Sequence, residues 1–234
     1  MSATPTGDVT LPPNHHADHP GFAGIGGVIA AICFTIGRGA AADLAIELTG
    51  TGPGDDVVDI GCGPGVAVRR AAARGASSVV GVDPAAVMLH VARALTRTSR
   101  RAAPTLRYQD GAAEALPLPD GSATVAWSLA TVHHWHDLDA GLAEVRRVLR
   151  PSGRFLAIER QVEPGATGHA SHGWTAEQAH LFGQRCRTAG FSDISIDRHQ
   201  PGRRRVISVL AHTTQGRPRT PARSPASHRD LRRP

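Results

Sequence analysis

Two hydrophobic periods alternate along the chain. Between Gly27 and Leu48, apolar residues recur every three or four positions (Ile29, Ile32, Ile36, Ala40, Leu44, Leu48), which predicts a helix weakened midway by Gly37 and Gly39. Thr51-Gly-Pro-Gly54 reads as a turn. Beyond it, short β-branched runs alternate with amphipathic stretches. Strands are predicted at 57–60, 78–82, 105–109, 123–129 and 154–159. Helices are predicted at 64–74, with Pro64 suited to the first turn, and at 84–96. A further helix follows the fourth strand, carried by Leu138, Leu142, Val145 and Leu149, and another spans 175–189, stopped by Gly190. Pro151-Ser-Gly153 is a turn before the fifth strand. Two last strands, 192–197 and 204–211, are joined by Pro201-Gly202 with no helix between them. Alternating strands and helices imply an α/β fold with a mostly parallel sheet covered on both faces. The final pair implies one antiparallel edge.

Composition refines this picture. The chain has 234 residues, 26 basic against 20 acidic side chains, and aromatic residues at only 4%. Every basic residue other than histidine is arginine, which excludes lysine-based Schiff-base or Walker-type phosphate chemistry. The pI of 10.7 would by itself raise nucleic acid or an anionic membrane as partner. However, Arg217, Arg219, Arg223, Arg229, Arg232 and Arg233 against Asp230 put five of the net +6 charges beyond residue 212. That Pro-, Ser- and Thr-rich tail has little to bury and is expected to be disordered. The body is nearly neutral. Cys33, Cys62 and Cys186 are widely spaced without a CxxC pair, which points away from a disulfide framework and toward a reducing cytoplasm. Phe22–Gly37 is uncharged but shorter than a bilayer span, and no signal peptide is read at the N-terminus.

The most informative segment is Val57-Val-Asp-Ile-Gly-Cys-Gly-Pro-Gly65, where a strand, a glycine loop and a helix follow in that order. That order places a ligand at the carboxyl end of the first strand. The dinucleotide pattern G-x-G-x-x-G fails, because the sixth position counted from Gly61 is Val66. Instead, Asp59 precedes Gly61, Gly63 and Gly65. A carboxylate there disfavours a pyrophosphate and suits a ligand bearing an ammonium or sulfonium. Asp83 ends the second strand, where a carboxylate can bond ribose hydroxyls; capping of the following helix is the structural alternative.

These residues resemble motifs of the class I S-adenosylmethionine-dependent methyltransferases, specifically the methyltransferase type 11 group. Asp59-Ile-Gly-Cys-Gly-Pro-Gly65 looks like their first motif and Val80-Gly-Val-Asp83 like their ribose-binding strand end. The stretch 111–122 resembles the segment after strand three, and 144–153 the helix and turn before strand five. Together the resemblance covers about residues 40–212. It implies a Rossmann-like, seven-stranded, mostly parallel sheet with an antiparallel final strand and helices on both faces. It also implies S-adenosyl-L-methionine as cofactor, held by Asp59, Gly61, Cys62, Gly63, Gly65, Asp83, Pro84, Ala112, Ala113 and Ser128. Three positions depart from the pattern. Ala112 stands where relatives often carry an adenine-binding Asp, which shifts that role to backbone near Ala113 or to Asp110. Thr124 stands for an Asp, and Ser152 for a Gly of the usual Pro-Gly-Gly turn.

Thr131-Val-His-His-Trp-His-Asp137 follows the fourth strand. His133 or His136 there could serve as general base for methyl transfer, or could pack against the cofactor; Trp135 could wall the pocket or fill the core. His169 and His172, after strand five, are secondary candidates for substrate contact. His15-His-Ala-Asp-His19 has a metal-like composition without a helical i, i+4 pair, so no metal site is assigned. The chain thus divides into a flexible segment (1–20), a helical lid (21–50), a cofactor-binding domain (51–212) and a basic tail (213–234). The leading reading is a cytoplasmic methyltransferase acting on a small molecule. A nucleic-acid-directed methyltransferase and a non-catalytic S-adenosylmethionine-binding protein are the alternatives. No Asn-Pro-Pro-Tyr-like motif and no aromatic-interleaved basic face supports nucleic acid; Arg203-Arg-Arg205 reads as the solvated start of an edge strand.

Overall fold

The computed structural model describes residues 39–97, 105–167 and 171–214. The expectations for the lead-in, for the first part of the lid helix, for His15–His19, for His169 and for the tail beyond residue 214 lie outside these residues. Five helices and seven strands are described: α1 (Gly39–Thr49), β1 (Asp56–Ile60), α2 (Val66–Ala73), β2 (Ser78–Asp83), α3 (Ala86–Arg97), β3 (Thr105–Asp110), β4 (Ala123–Leu129), α4 (Leu138–Val148), β5 (Leu149–Arg160), α5 (Ala176–Thr188), β6 (Phe191–His199) and β7 (Val206–Thr213). A short 3₁₀ turn, Val132–His134, follows β4.

The strands form one sheet in the order β3-β2-β1-β4-β5-β7-β6. Strands β1 to β5 pair in parallel, and β7 runs antiparallel to both β5 and β6. The reversed strand therefore lies one place in from the edge, and β6 is the edge. The final pair is antiparallel and lies at the edge of the sheet, as expected; Arg203–Arg205, however, precede β7, which is not the edge strand and whose residues are largely buried. The reason is topological. A crossover through α5 lays β6 down parallel at the outside, and the hairpin after it then fills the gap beside β5. The expected turn at Pro151–Gly153 is also absorbed, because β5 begins at Leu149 and runs through it.

Alternation in each strand sends side chains to two apolar layers. On one face, Val57, Val79, Val125, Trp127 and Leu156 pack under Ala42, Ala45 and Ile46 of α1 and Val68 and Ala71 of α2. On the other, Val58, Ala126, Phe155 and Val209 meet Leu142 and Val145 of α4 and Ala179 and Phe182 of α5. Each large side chain removed from water contributes about 1.5–3 kcal/mol before the entropy of ordering is subtracted. With aromatic residues scarce, small residues let the helices lie close. Thr175 caps α5, accepting from Gln178 N at 3.2 Å while Gln178 Oε1 accepts from Thr175 N at 2.9 Å, a reciprocal capping box.

Candidate active site

The carboxyl ends of β1, β2, β4 and β5 converge on the glycine loop. Its amides are turned inward. Gly61 N and Cys62 N donate to Val82 O at 2.8 and 3.0 Å, Gly65 N donates to Cys62 O at 3.0 Å, and Gly63 N donates to Asp83 Oδ2 at 2.8 Å. Pro64 has no N–H. Every amide from 61 to 65 is thus spent or absent, so this loop offers none of the donors that cradle a phosphate. Gly61 has φ 73° and Gly65 φ 72°, in the left-handed region that glycine adopts without strain. A Cβ at Gly61 would sit 2.6 Å from Thr131 Cγ2, and one at Gly65 would collide with Tyr108.

Asp83 is buried, and its other oxygen accepts from Ala85 N at 2.9 Å. It thus clamps the loop and steadies the approach to α3 together, while a carboxylate has about four acceptor sites in all. Asp59 is only 2% exposed and lines a cavity with Ala41, Pro64, Ala130, Arg160 and Arg204. Cys62 also lines it, and its Sγ lies 3.6 Å from Gly63 O. Burial, reinforced by the charges of Asp59 and Asp83, pushes the thiol well above its usual range, so it stays protonated and unreactive. Any part Cys62 plays in holding a ligand is therefore not that of a thiolate.

The other expected residues are not among those that line this cavity. Pro84 is exposed at the entry to α3, and Ala112 and Ala113 lie in the loop after β3, where Ala112 bridges to Ala115. That loop is held from α4. Glu144 accepts from Leu116 N at 2.8 Å, and Arg147 donates to Leu116 O, Leu118 O and Asp120 at 3.0, 2.7 and 2.7 Å. The bond from Arg147, ahead of the other influences, holds the Glu144 carboxyl below its usual range. Ser128 is fully buried, and its hydroxyl shares a 2.6 Å hydrogen bond with Thr131, whose Oγ1 also donates to Ile60 O at 2.9 Å. Thr124, in place of the family's Asp, accepts from Asp56 N at 3.0 Å and donates to Asp55 at 2.8 Å, tying the starts of β1 and β4.

The histidines separate. His133 is buried, with Nδ1 2.9 Å from Glu159 Oε2. Glu159, at the end of β5, is fully buried, and its other oxygen accepts from Val132 N at 2.9 Å. The His134 and His172 rings lie 4.0 and 5.6 Å from that of His133. His136 is exposed, and its backbone N donates to Glu114 Oε1 at 2.6 Å. Trp135 is buried against Phe155. Sequence reading missed Glu159: one glutamate at a strand end carries no motif, and only the β4–β5 pairing brings it to His133. No group of three or more His, Cys, Asp or Glu among the described residues has the makings of a metal site.

Residues 58–157 match the family model described as a methyltransferase domain. Over 117 residues the chain is 39% identical to a malonyl-[acyl-carrier protein] O-methyltransferase of Serratia marcescens, covering 49% of this chain and 43% of that protein. Over 103 residues it is 34% identical to an uncharacterized methyltransferase of Bacillus subtilis, YcgJ, covering 44% of this chain and 40% of that protein. The chain spans less than half the length of the curated relatives it matches. Among solved structures, a SAM-dependent methyltransferase from Aquifex aeolicus superposes with TM-score 0.67 at 16% identity, over 80% of this chain and 98% of that one. Sheet order and glycine loop agree with this match: residues 58–157 match a methyltransferase domain, and the fold is similar to that of S-adenosylmethionine-dependent methyltransferases. The residues present fit that cofactor, since two buried carboxylates and an amide-spent loop suit a cation and a ribose, not a pyrophosphate.

Proposed function

We propose that the protein transfers a methyl group from S-adenosyl-L-methionine to a small-molecule acceptor. The observation that carries this is the loop 61–65 with all its amides spent, set between Asp59 and Asp83. When bound, the cofactor supplies an electrophilic methyl on a sulfonium, which an acceptor nucleophile displaces in line. Asp59 favours the cationic end, Asp83 the ribose, and the backbone around Gly61, Cys62, Gly63 and Gly65 admits close approach. Pro84 with Ala112 and Ala113 forms the adenine side, held in place by Glu144 and Arg147. Ser128 braces Thr131 behind the loop.

His133 is the proposed base. A carboxylate accepts but cannot donate, so Glu159 holds the proton on Nδ1 and leaves Nε2 with the lone pair. The acceptor's proton would pass to Nε2 as its oxygen or nitrogen bonds the methyl carbon. His136, exposed beyond Trp135, is the weaker of the two histidines on this geometry. The segment 21–50, of which α1 is the described part, is proposed as the lid. Cys62 and Cys186 are free and buried, in keeping with a reducing compartment such as the cytoplasm. None of the described helices is long and apolar enough to cross a membrane.

Calorimetric titration with S-adenosylmethionine and S-adenosylhomocysteine tests the cofactor: no heat with either, on folded protein, rejects it. A screen for methylated products would then supply the acceptor. With it, His133→Ala should lower kcat about 10²–10⁴-fold, the range for loss of a general base, with S-adenosylhomocysteine affinity unchanged. Glu159→Gln should also shift the pH–rate profile. An unaltered rate in His133→Ala removes it from the mechanism.

A further inference from the structure

The cavity beside the glycine loop carries charge of both signs. Its floor is acidic, with Asp59 and Glu159, and Arg160 and Arg204 lie on its wall. Arg160 ends β5, and its Nε donates to His172 O at 3.0 Å, which fixes the root of the guanidinium. Arg204 arrives from the far end of the chain. The antiparallel register pairs Arg160 with Val206, and Gln161 N donates to Arg205 O at 2.9 Å, so the β6–β7 turn is zipped against the end of β5. Arg204 is exposed at the mouth and has no ion pair or side-chain hydrogen bond among the described residues. By contrast, Arg70, Arg147, Arg150, Arg154 and Arg185 each meet an acid.

An arginine fork matches the two oxygens of a carboxylate or phosphate. A cation at the mouth of a cleft also raises the local concentration of anions. Asp59 is buried on the floor, where it suits the cationic end of the cofactor, whereas Arg204 is exposed at the mouth, where a second substrate would enter. We propose that the acceptor bears an anionic group, carboxylate or phosphate, which Arg160 and Arg204 bind at the mouth of this cavity. The assignment rests on the cofactor reading above, and it gives the run Arg203–Arg205 a role beyond solvation.

The test uses full-length protein saturated with S-adenosylhomocysteine and three probes: benzoate, phenyl phosphate and the neutral benzamide. Affinities are read by ligand-observed NMR. Benzoate or phenyl phosphate should bind at least about tenfold more tightly than benzamide, as expected for one charge-assisted contact; whichever is tighter assigns the anion. Arg204→Gln and Arg160→Gln should each remove most of that preference. Arg203→Gln, next to the cavity but not lining it, should not, and S-adenosylhomocysteine affinity should hold in all three. Equal or absent binding of the three probes by the wild type overturns the proposal, as does equal loss in Arg203→Gln. A parallel fall in S-adenosylhomocysteine affinity in Arg204→Gln also overturns it, because the arginine would then read the cofactor's own carboxylate. Failure of the wild type to bind S-adenosylhomocysteine overturns the cofactor reading and this one with it.

Discussion

Ser152 shows how one side chain can sit against its backbone. It has φ 61°, in the left-handed region where a Cβ crowds the following carbonyl. It is exposed, and Gly153 beside it is tied by its N–H to Thr213 Oγ1 at 2.7 Å, so this irregular start of β5 is held from β7. Ser152 stands where the resembled family carries glycine, and its positive φ shows what glycine would relieve there. Ser152→Gly should stabilise the fold by about 1 kcal/mol, the left-handed strain removed less the added chain entropy. Thermal denaturation should show Tm raised by about 2–4 °C for a chain of this size. An unchanged or lower Tm would mean that Ser152 carries no such strain.

Among the elements, the clamp from α4 onto the loop after β3 explains why the segments 111–122 and 144–153 occur together. Glu144 and Arg147 satisfy backbone groups of Leu116 and Leu118 that are far away in sequence. Glu144 is depressed in the folded state, so its stabilisation is complete above the ordinary carboxylate pKa of about 4.5 and fades as pH falls through the lower folded value. Glu144→Gln should therefore cost about 1 kcal/mol at pH 7, discounted for partial exposure. The gap from wild type should narrow as pH falls below about 4.5, the ordinary carboxylate value. Urea titrations at pH 7 and pH 3.5 measure this, and a pH-independent gap would contradict it. Elements of this kind were largely legible from period alone: β4 was read from residue 123 to 129 and is found there. The glycine loop was legible too, since glycine spacing is local. What could not be read was strand order, because it depends on which edge each crossover reaches. For the same reason Glu159 and Arg204 stayed hidden. One reaches His133, and the other the cavity, only through pairing between strands far apart in sequence.

For the whole molecule, the sheet divides the labour. On the proposed reading, strands β1 to β3 with their loops would serve the cofactor, and the end of β5 with the β6–β7 hairpin would serve the acceptor. The hairpin is the last part of the described sheet to leave the ribosome. Until it does, β5 has one unpaired edge carrying Phe155, Leu156 and Ile158, all buried in the finished fold. A chain ending at residue 200 should therefore aggregate, whereas one ending at residue 214 should stay monodisperse by light scattering. Equal behaviour of the two would show that β5 needs no partner. The reversed strand thus makes synthesis and competence coincide. The wall that would receive the acceptor arrives with the strand that completes the sheet, so a nascent chain able to grip a substrate has already sealed its adhesive edge.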